Sequence, residues 1–399
     1  MNKVILIAAS IVAWVQCAEA KDYFELRGGL PNSRLIFEQT KKGRVAFLGG
    51  SITQMNGWRR MVTAELRRRF PNTRFDFINA GISSTGSTPG AFRLTRDVFK
   101  NGPPDLLFEE AAVNDLYNGR SETEQVRAME GIVRHARKLN PNIDIVIMHF
   151  VDPPKMKDYS SGKTPEVIRN HEKVAVHYKL PSIDLAREVT ERIGRKEFTW
   201  GKFGGLHPAK FGHELYCKTI ARLFDTAWGP KTATGKPTSH HQPRKLDEFC
   251  YDTGQLPPPD KAEQLKGFKQ IPKWKNTVGG GVRGGFVNVP MLVGGQPGDS
   301  FALSFKGSAI GLFVAAGPDA GIIEYRIDGR KWNKRDLFTK WSGGLHIPWL
   351  YMLDAELEKK KTHRLEVRIA GEKNKKSKGH TCRIVKFAVN DAADGGDRG

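Results

Sequence analysis

The chain has little cysteine and, past its opening segment, nothing that would cross a membrane. Its four cysteines in 399 residues are Cys17, Cys217, Cys250 and Cys382. Their spacing matches no zinc motif. With Cys17 set aside in the leader an odd number remains, which argues against a disulfide-stapled scaffold. Cys217 falls inside a helical pattern, where a thiol behaves as a small buried apolar group. Acidic residues are also in deficit: 43 Asp and Glu stand against 64 Lys and Arg, a net charge of +21. That balance favours an acidic partner. Helix-turn-helix, zinc-finger and RNA-binding signatures are missing, so nucleic acid is not expected and an anionic polysaccharide is the preferred partner. Part of the charge sits in local runs, at 359–361 and 373–378, which read as solvated loop tips.

The opening segment reads as a removable signal peptide, 1–20. Lys3 precedes an apolar stretch from Val4 to Val15, and Ala18-Glu19-Ala20 supplies an A-x-A cleavage site. The expected mature protein is exported, periplasmic or extracellular, without a transmembrane segment.

A polar extension over 21–43 leads into a region where strand-like apolar runs alternate with helical periods. Val45 to Leu48, Phe75 to Ile78, Asp105 to Val113, Ile143 to Phe150 and Leu180 to Ile183 read as strands. Between them, Trp58, Met61, Val62 and Leu66 share a helical face, as do Val126, Met129, Val133 and Ala136. A last helix spans 208–227. This alternation predicts an α/β domain over 44–229, its parallel sheet covered on both faces. Residues 230–261 change character: Pro257-Pro258-Pro259 marks an extended linker, and His240-His241 reads as a solvated pair rather than a metal site. From 262 to 390 the texture is all-β, with Asp328-Gly329 as a hairpin turn, and predicts a β-sandwich of jelly-roll type. Residues 391–399 read as a disordered tail.

Four positions follow strands or precede the last helix. Ser51 follows Gly49-Gly50, Gly81 follows the second strand, Asn114 the third, and His207 precedes Pro208. Strand ends of a parallel sheet share one edge, where ligands bind. A serine hydroxyl needs a base, which His207 can supply. Attack on an ester makes an oxyanion that needs preorganised donors. The N–H groups of Ser51 and Gly81 and the Asn114 side chain are the candidates.

The order and spacing of these blocks, GGSIT, NAG, AVND and GLHP, resemble those of the SGNH hydrolases, the GDSL esterase family, over about 44–229. The resemblance implies a flavodoxin-like three-layer α/β/α fold and ester hydrolysis through an acyl-enzyme, without cofactor or metal. It makes Ser51 the nucleophile, His207 the base, and Ser51, Gly81 and Asn114 the oxyanion hole. With its trailing β module the chain resembles secreted bacterial polysaccharide acetylesterases, which implies an O-acetylated carbohydrate as substrate. A short-chain lipase or thioesterase of the same fold is the alternative enzyme. A carbohydrate-binding envelope protein that has lost activity is the alternative from another class. Three departures stand out: Gly50 replaces the usual acid of the first block, Ala112 the usual glycine of the third, and Gly204 the Asp usually three residues before the histidine. Asp152, after the fourth strand, is the candidate replacement to orient His207. In the β module, Trp332, Trp341 and Trp349 are candidates for a sugar-stacking platform, with buried packing as the default for each.

Overall fold

The computed structural model describes residues 21–229 and 234–391. The expected signal peptide, four connector residues at 230–233, and residues 392–399 of the tail lie outside the described residues.

The first unit is built on a six-stranded sheet of β1 (Phe24–Glu25), β2 (Lys42–Gly49), β3 (Arg74–Gly81), β4 (Leu106–Glu110), β5 (Asp144–Met148) and β6 (Ser182–Ile183), in the order β1-β6-β5-β4-β2-β3. Strands β2 to β6 are mutually parallel, and β1 closes the edge antiparallel to β6. Side chains alternate across the sheet. Val45 and Phe47 pack with Trp58, Phe108 and Phe224 on one face, and Ala46 and Leu48 pack with Leu107, Ile132 and Ile145 on the other. Helices cover both faces, which is why the strands read as unbroken apolar runs.

Two elements differ from the sequence reading. The run 105–113 is not one strand: β4 ends at Glu110 and a helix, Ala112–Tyr117, begins. Val113 donates its N–H to the Glu110 carboxylate at 3.1 Å, satisfying a group the helix start leaves open. Apolar periodicity does not reveal such a turn. The polar stretch before β2 contains a helix, Ser33–Thr40, held by the backbone N–H groups of Asn32 and Ser33 on the buried Asp144 carboxylate.

The second unit comprises β7 (Gly254–Gln255), β8 (Glu263–Lys266), β9 (Lys269–Ile271), β10 (Gly281–Val282), β11 (Met291–Gly294), β12 (Ser300–Lys306), β13 (Ala309–Ala316), β14 (Ile322–Ile327), β15 (Asn333–Asp336), β16 (Leu345–Asp354), β17 (Thr362–Ile369) and β18 (Cys382–Asn390). They form two sheets, β10-β16-β13-β18-β11-β9 with β7 on β18, and β15-β14-β17-β12-β8. Pairing is antiparallel except between β10 and β16. The hairpin signal at Asp328-Gly329 joins β14 to β15, with both residues at positive φ, 53° and 70°.

The two units dock. Along β13, Ile310, Leu312 and Val314 fill the sandwich core, whereas Ala309, Phe313 and Ala315 belong to the same apolar cluster as Phe92 and Tyr251. The seven-stranded sheet is therefore buried on both faces, one of them against the helix Ser87–Leu94. Met291, Phe313 and Leu350 are each at most 1 % exposed there.

The connector lies on the first unit instead of in solvent. Thr238 accepts from Asn32 at 2.9 Å, His240 meets Asp144 at 3.0 Å, and the Glu130 carboxylate takes the N–H groups of Leu246 and Asp247. Its polar residues found partners that composition cannot foretell. The described cysteines are unpaired, and burial pushes the Cys250 and Cys382 thiols up to about 12.

Arg93 is 1 % exposed and donates to the carbonyls of Ala80 (2.6 Å) and Gly49 (3.2 Å) and to the Asp97 carboxylate (3.0 Å). Arg93→Met removes the buried donor from the Ala80 and Gly49 carbonyls, while Gly49 keeps the Ile82 N–H and Asp97 keeps Arg96. It is expected to lower stability by about 1–3 kcal/mol, measured by urea unfolding.

Candidate active site

Ser51 opens the helix Ser51–Gln54 directly after β2 and Gly50. His207 enters from the loop between the helices Trp200–Phe203 and Lys210–Trp228. Although 156 residues apart in sequence, the Ser51 Oγ and His207 Nε2 atoms stand 2.9 Å apart. With the ring protonated at Nδ1, Nε2 accepts the serine O–H.

Asn114 lies in the first turn of Ala112–Tyr117, and its side chain rests on the Gly50 backbone. A Cβ at position 50 would sit 1.9 Å from the Asn114 Oδ1 atom. That close approach accounts for glycine in place of the expected acid. Asn114 Nδ2 donates to no described group.

Gly81 does not join this set. Its N–H donates to the Asn79 side chain at 3.1 Å, and it does not line the cleft. Ser84 stands in the cleft wall instead, in the left-handed region at φ 71°. Its turn is fixed by the Gln54 side chain, which accepts from the N–H (2.9 Å) and hydroxyl (2.6 Å) of Ser83. The Ser84 carbonyl accepts from Asn118 at 3.1 Å, and its N–H has no acceptor among the described residues. Sequence reading missed Ser84 because a serine held at positive φ carries no sign of it; a glycine there would have.

Among the described residues no carboxylate bonds to the far side of the His207 ring. Among the described residues the one hydrogen bond of His207 is to Ser51. Asp152 does not orient it: it is fully buried, caps the helix Pro153–Ser160 through the Lys155 N–H, and pairs with the Lys155 ammonium. Nor has position 204 room for an acid. Gly204 sits at φ 105°, and a Cβ there would lie 2.0 Å from the Ala209 nitrogen. The loop is closed by its own backbone, with the Ala209 N–H on the Phe203 carbonyl at 2.9 Å and the Gly205 N–H on the Trp200 carbonyl at 3.2 Å.

The cleft measures about 340 Å³ and takes its walls from both units. Ser51, Ser84, Asn114, Tyr117, Asn118, Leu206 and His207 line one side, and Arg283, Trp341, Leu345 and Ile347 the other. Trp341 is 43 % exposed at its rim. Trp332 instead lies beneath the Arg326 and Arg368 guanidinium groups, and Trp349 beside that of Arg120. His346 is buried against Trp274 and does not reach the cleft. His149 is buried and bonded to Glu172 at 2.8 Å, and Trp200 stacks on Phe203. Asp115 anchors the Ser87 backbone and hydroxyl and meets His171 at 3.0 Å. No group of three or more His, Cys, Asp or Glu among the described residues is arranged to hold a metal.

Burial pushes the Glu110 carboxyl up to about 7 against the opposing pull of the Lys155 ammonium. Glu110 thereby adds a titratable group beneath the helix that carries Asn114.

Residues 47–215 match the model of the GDSL-like lipase/acylhydrolase family. Among solved structures the fold is similar to a two-domain esterase (CEX) active on acetylated mannans. The form co-crystallised with mannopentaose gives a TM-score of 0.71 at 22 % identity, over 92 % of this chain and 98 % of that one. A second structure of that esterase gives 0.72 at 21 % identity, with the same coverage. The likeness in fold thus extends over both units. No curated protein matches the chain.

Glu110→Gln keeps an acceptor for Val113 and removes the titration. A carboxyl raised from about 4.5 to about 7 in the fold contributes stability that is fully present below 4.5 and lost as pH rises through 7. Wild type is therefore expected to lose on the order of 3 kcal/mol relative to the variant between pH 4.5 and 8, read from denaturant unfolding at each pH. Gly204→Asp is expected to lower the melting temperature without raising any esterase activity, since its side chain meets the Ala209 backbone.

Proposed function

We propose, from the match of residues 47–215 to the GDSL-like lipase/acylhydrolase family model, that the protein is an exported serine esterase removing O-acetyl groups from a carbohydrate. The observation that carries this reading is the 2.9 Å contact between the Ser51 hydroxyl and His207 at the floor of an open cleft. In the proposed reaction His207 Nε2 takes the Ser51 proton as Oγ bonds to the ester carbon. The carbonyl oxygen becomes an oxyanion facing the N–H groups of Ser51 and Ser84 and the Asn114 amide. Collapse breaks the bond to the sugar oxygen, which leaves with the proton from His207. Water, deprotonated by His207, then releases acetate and restores Ser51.

The substrate class is supported by the breadth of the cleft, by the indole of Trp341 at its rim, and by the likeness in fold to an esterase active on acetylated mannans. Export is supported by the leader pattern at 1–20. We likewise propose a hydrolase domain over 44–229, with the β unit from 262 to 390 as a wall of the site. A second reading, a carbohydrate-binding protein without activity, is favoured by one observation: His207 has no carboxylate partner among the described residues.

Fluorophosphonate labelling separates the two readings. Wild type is expected to label and Ser51→Ala not; an unlabelled wild type favours the binder. Acetate release is expected to fall by at least about 10³-fold in Ser51→Ala and about 10²–10³-fold in Asn114→Ala. On aryl esters, activity on acetate that vanishes by octanoate distinguishes a deacetylase from a lipase.

A further inference from the structure

The cleft carries a cation that the hydrolytic chemistry does not use. Arg283 projects from the segment after β10 into the wall facing Ser51 and His207. Among the described residues it has no carboxylate partner, and its Nε atom is buried with no hydrogen bond at all. No residue lining the cleft is acidic. A second cation stands at the rim: the Lys340 ammonium lies 5.7 Å from the Tyr117 ring centre and 5.1 Å from that of Trp341, bridging the two units. Elsewhere guanidinium groups at the junction of the units are paired, Arg120 with Glu124 and Arg127 with Asp247 and Glu356. A half-enclosed guanidinium without its counter-charge is costly unless a ligand supplies one, and its planar fork suits a carboxylate or sulfate.

We infer that Arg283, supported by Lys340, recognises an anionic group on the acylated sugar, so that the preferred substrate is an ester on an acidic rather than a neutral glycan. This rests on the esterase reading for its placement beside Ser51, and it names the substrate class of that site. The carboxylate of a uronic acid and a sulfate ester share the chemistry. Either would sit on the β-unit wall while the ester carbonyl faces Ser84 and Asn114. Arg283 is a specificity residue that takes no part in proton transfer.

The test compares acetate release from acetylated methyl glycosides of xylose, glucuronic acid and glucose 6-sulfate at low ionic strength. The expected kcat/KM ratio of the better charged substrate to the neutral one is about tenfold or more in wild type. It should fall to about one in Arg283→Ala and remain intermediate in Arg283→Lys. A preference for glucuronate alone assigns the anion to a carboxylate, and for the sulfated sugar alone to a sulfate. Because the ratio is taken within each variant, partial misfolding cancels. A wild-type ratio near one, or a ratio unchanged in Arg283→Ala, overturns the proposal. Should wild type hydrolyse none of these esters, the esterase reading fails separately. Calorimetric titration of the same glycosides into wild type and Arg283→Ala then decides: tighter binding of a charged sugar that is lost with Arg283 supports the proposal, and equal affinities overturn it.

Discussion

The site depends first on a buried guanidinium gripping two backbone carbonyls. Arg93 holds the ends of β2 and β3 together at Gly49 and Ala80, immediately before the segments that carry Ser51 and Ser84. The β2–β3 ladder runs to Gly49 and Gly81, the Ile82 N–H adds a bond to the Gly49 carbonyl, and the planar guanidinium ties the same two strand ends once more. The helix that supplies Arg93 also packs against the β unit, so one element links strand ends, cleft floor and inter-unit contact. Removing the charge would disturb the mutual placement of Ser51 and Ser84 as well as stability.

The β unit does more than accompany the α/β unit. Its seven-stranded sheet has no solvent face to spare, because Phe313 and Leu350 lie in the same apolar cluster as Phe92 and Tyr251. That docking brings Trp341, Leu345, Ile347 and Arg283 opposite Ser51. One wall therefore carries Ser51, His207 and Asn114, and the other an indole face and positive charge. Neither wall alone forms a cleft.

What the sequence disclosed follows physical lines. The strand–helix alternation was legible because both sheet faces are apolar and each connection is helical, and the Asp328-Gly329 turn because its backbone demands positive φ. The pairing of Ser51 with His207 could be anticipated from their places at strand and loop ends, since a parallel sheet brings such ends to one edge. Three features were hidden. The helix start at Ala112 rests on a side-chain cap from Glu110, invisible in apolar periodicity. Ser84 adopts a conformation its side chain does not advertise, so the sequence points to Gly81 and not to the residue that lines the cleft. The connector was read as solvated because its composition is polar, although those polar groups are bound, Thr238 to Asn32 and His240 to Asp144. Docking of the two units is likewise a property of surfaces that no single segment encodes.

The loop from Phe203 to Ala209 has a consequence for the imidazole it presents. Where a buried anion usually clamps the far edge of the ring, here the exposed His207 rests on the main-chain closure of its turn and on its hydrogen bond to Ser51. Its placement relies on backbone hydrogen bonds rather than on an ion pair. Added electrolyte should leave such an arrangement largely undisturbed, whereas warming that loosens this one short turn would spoil the aim well before the sheets come apart.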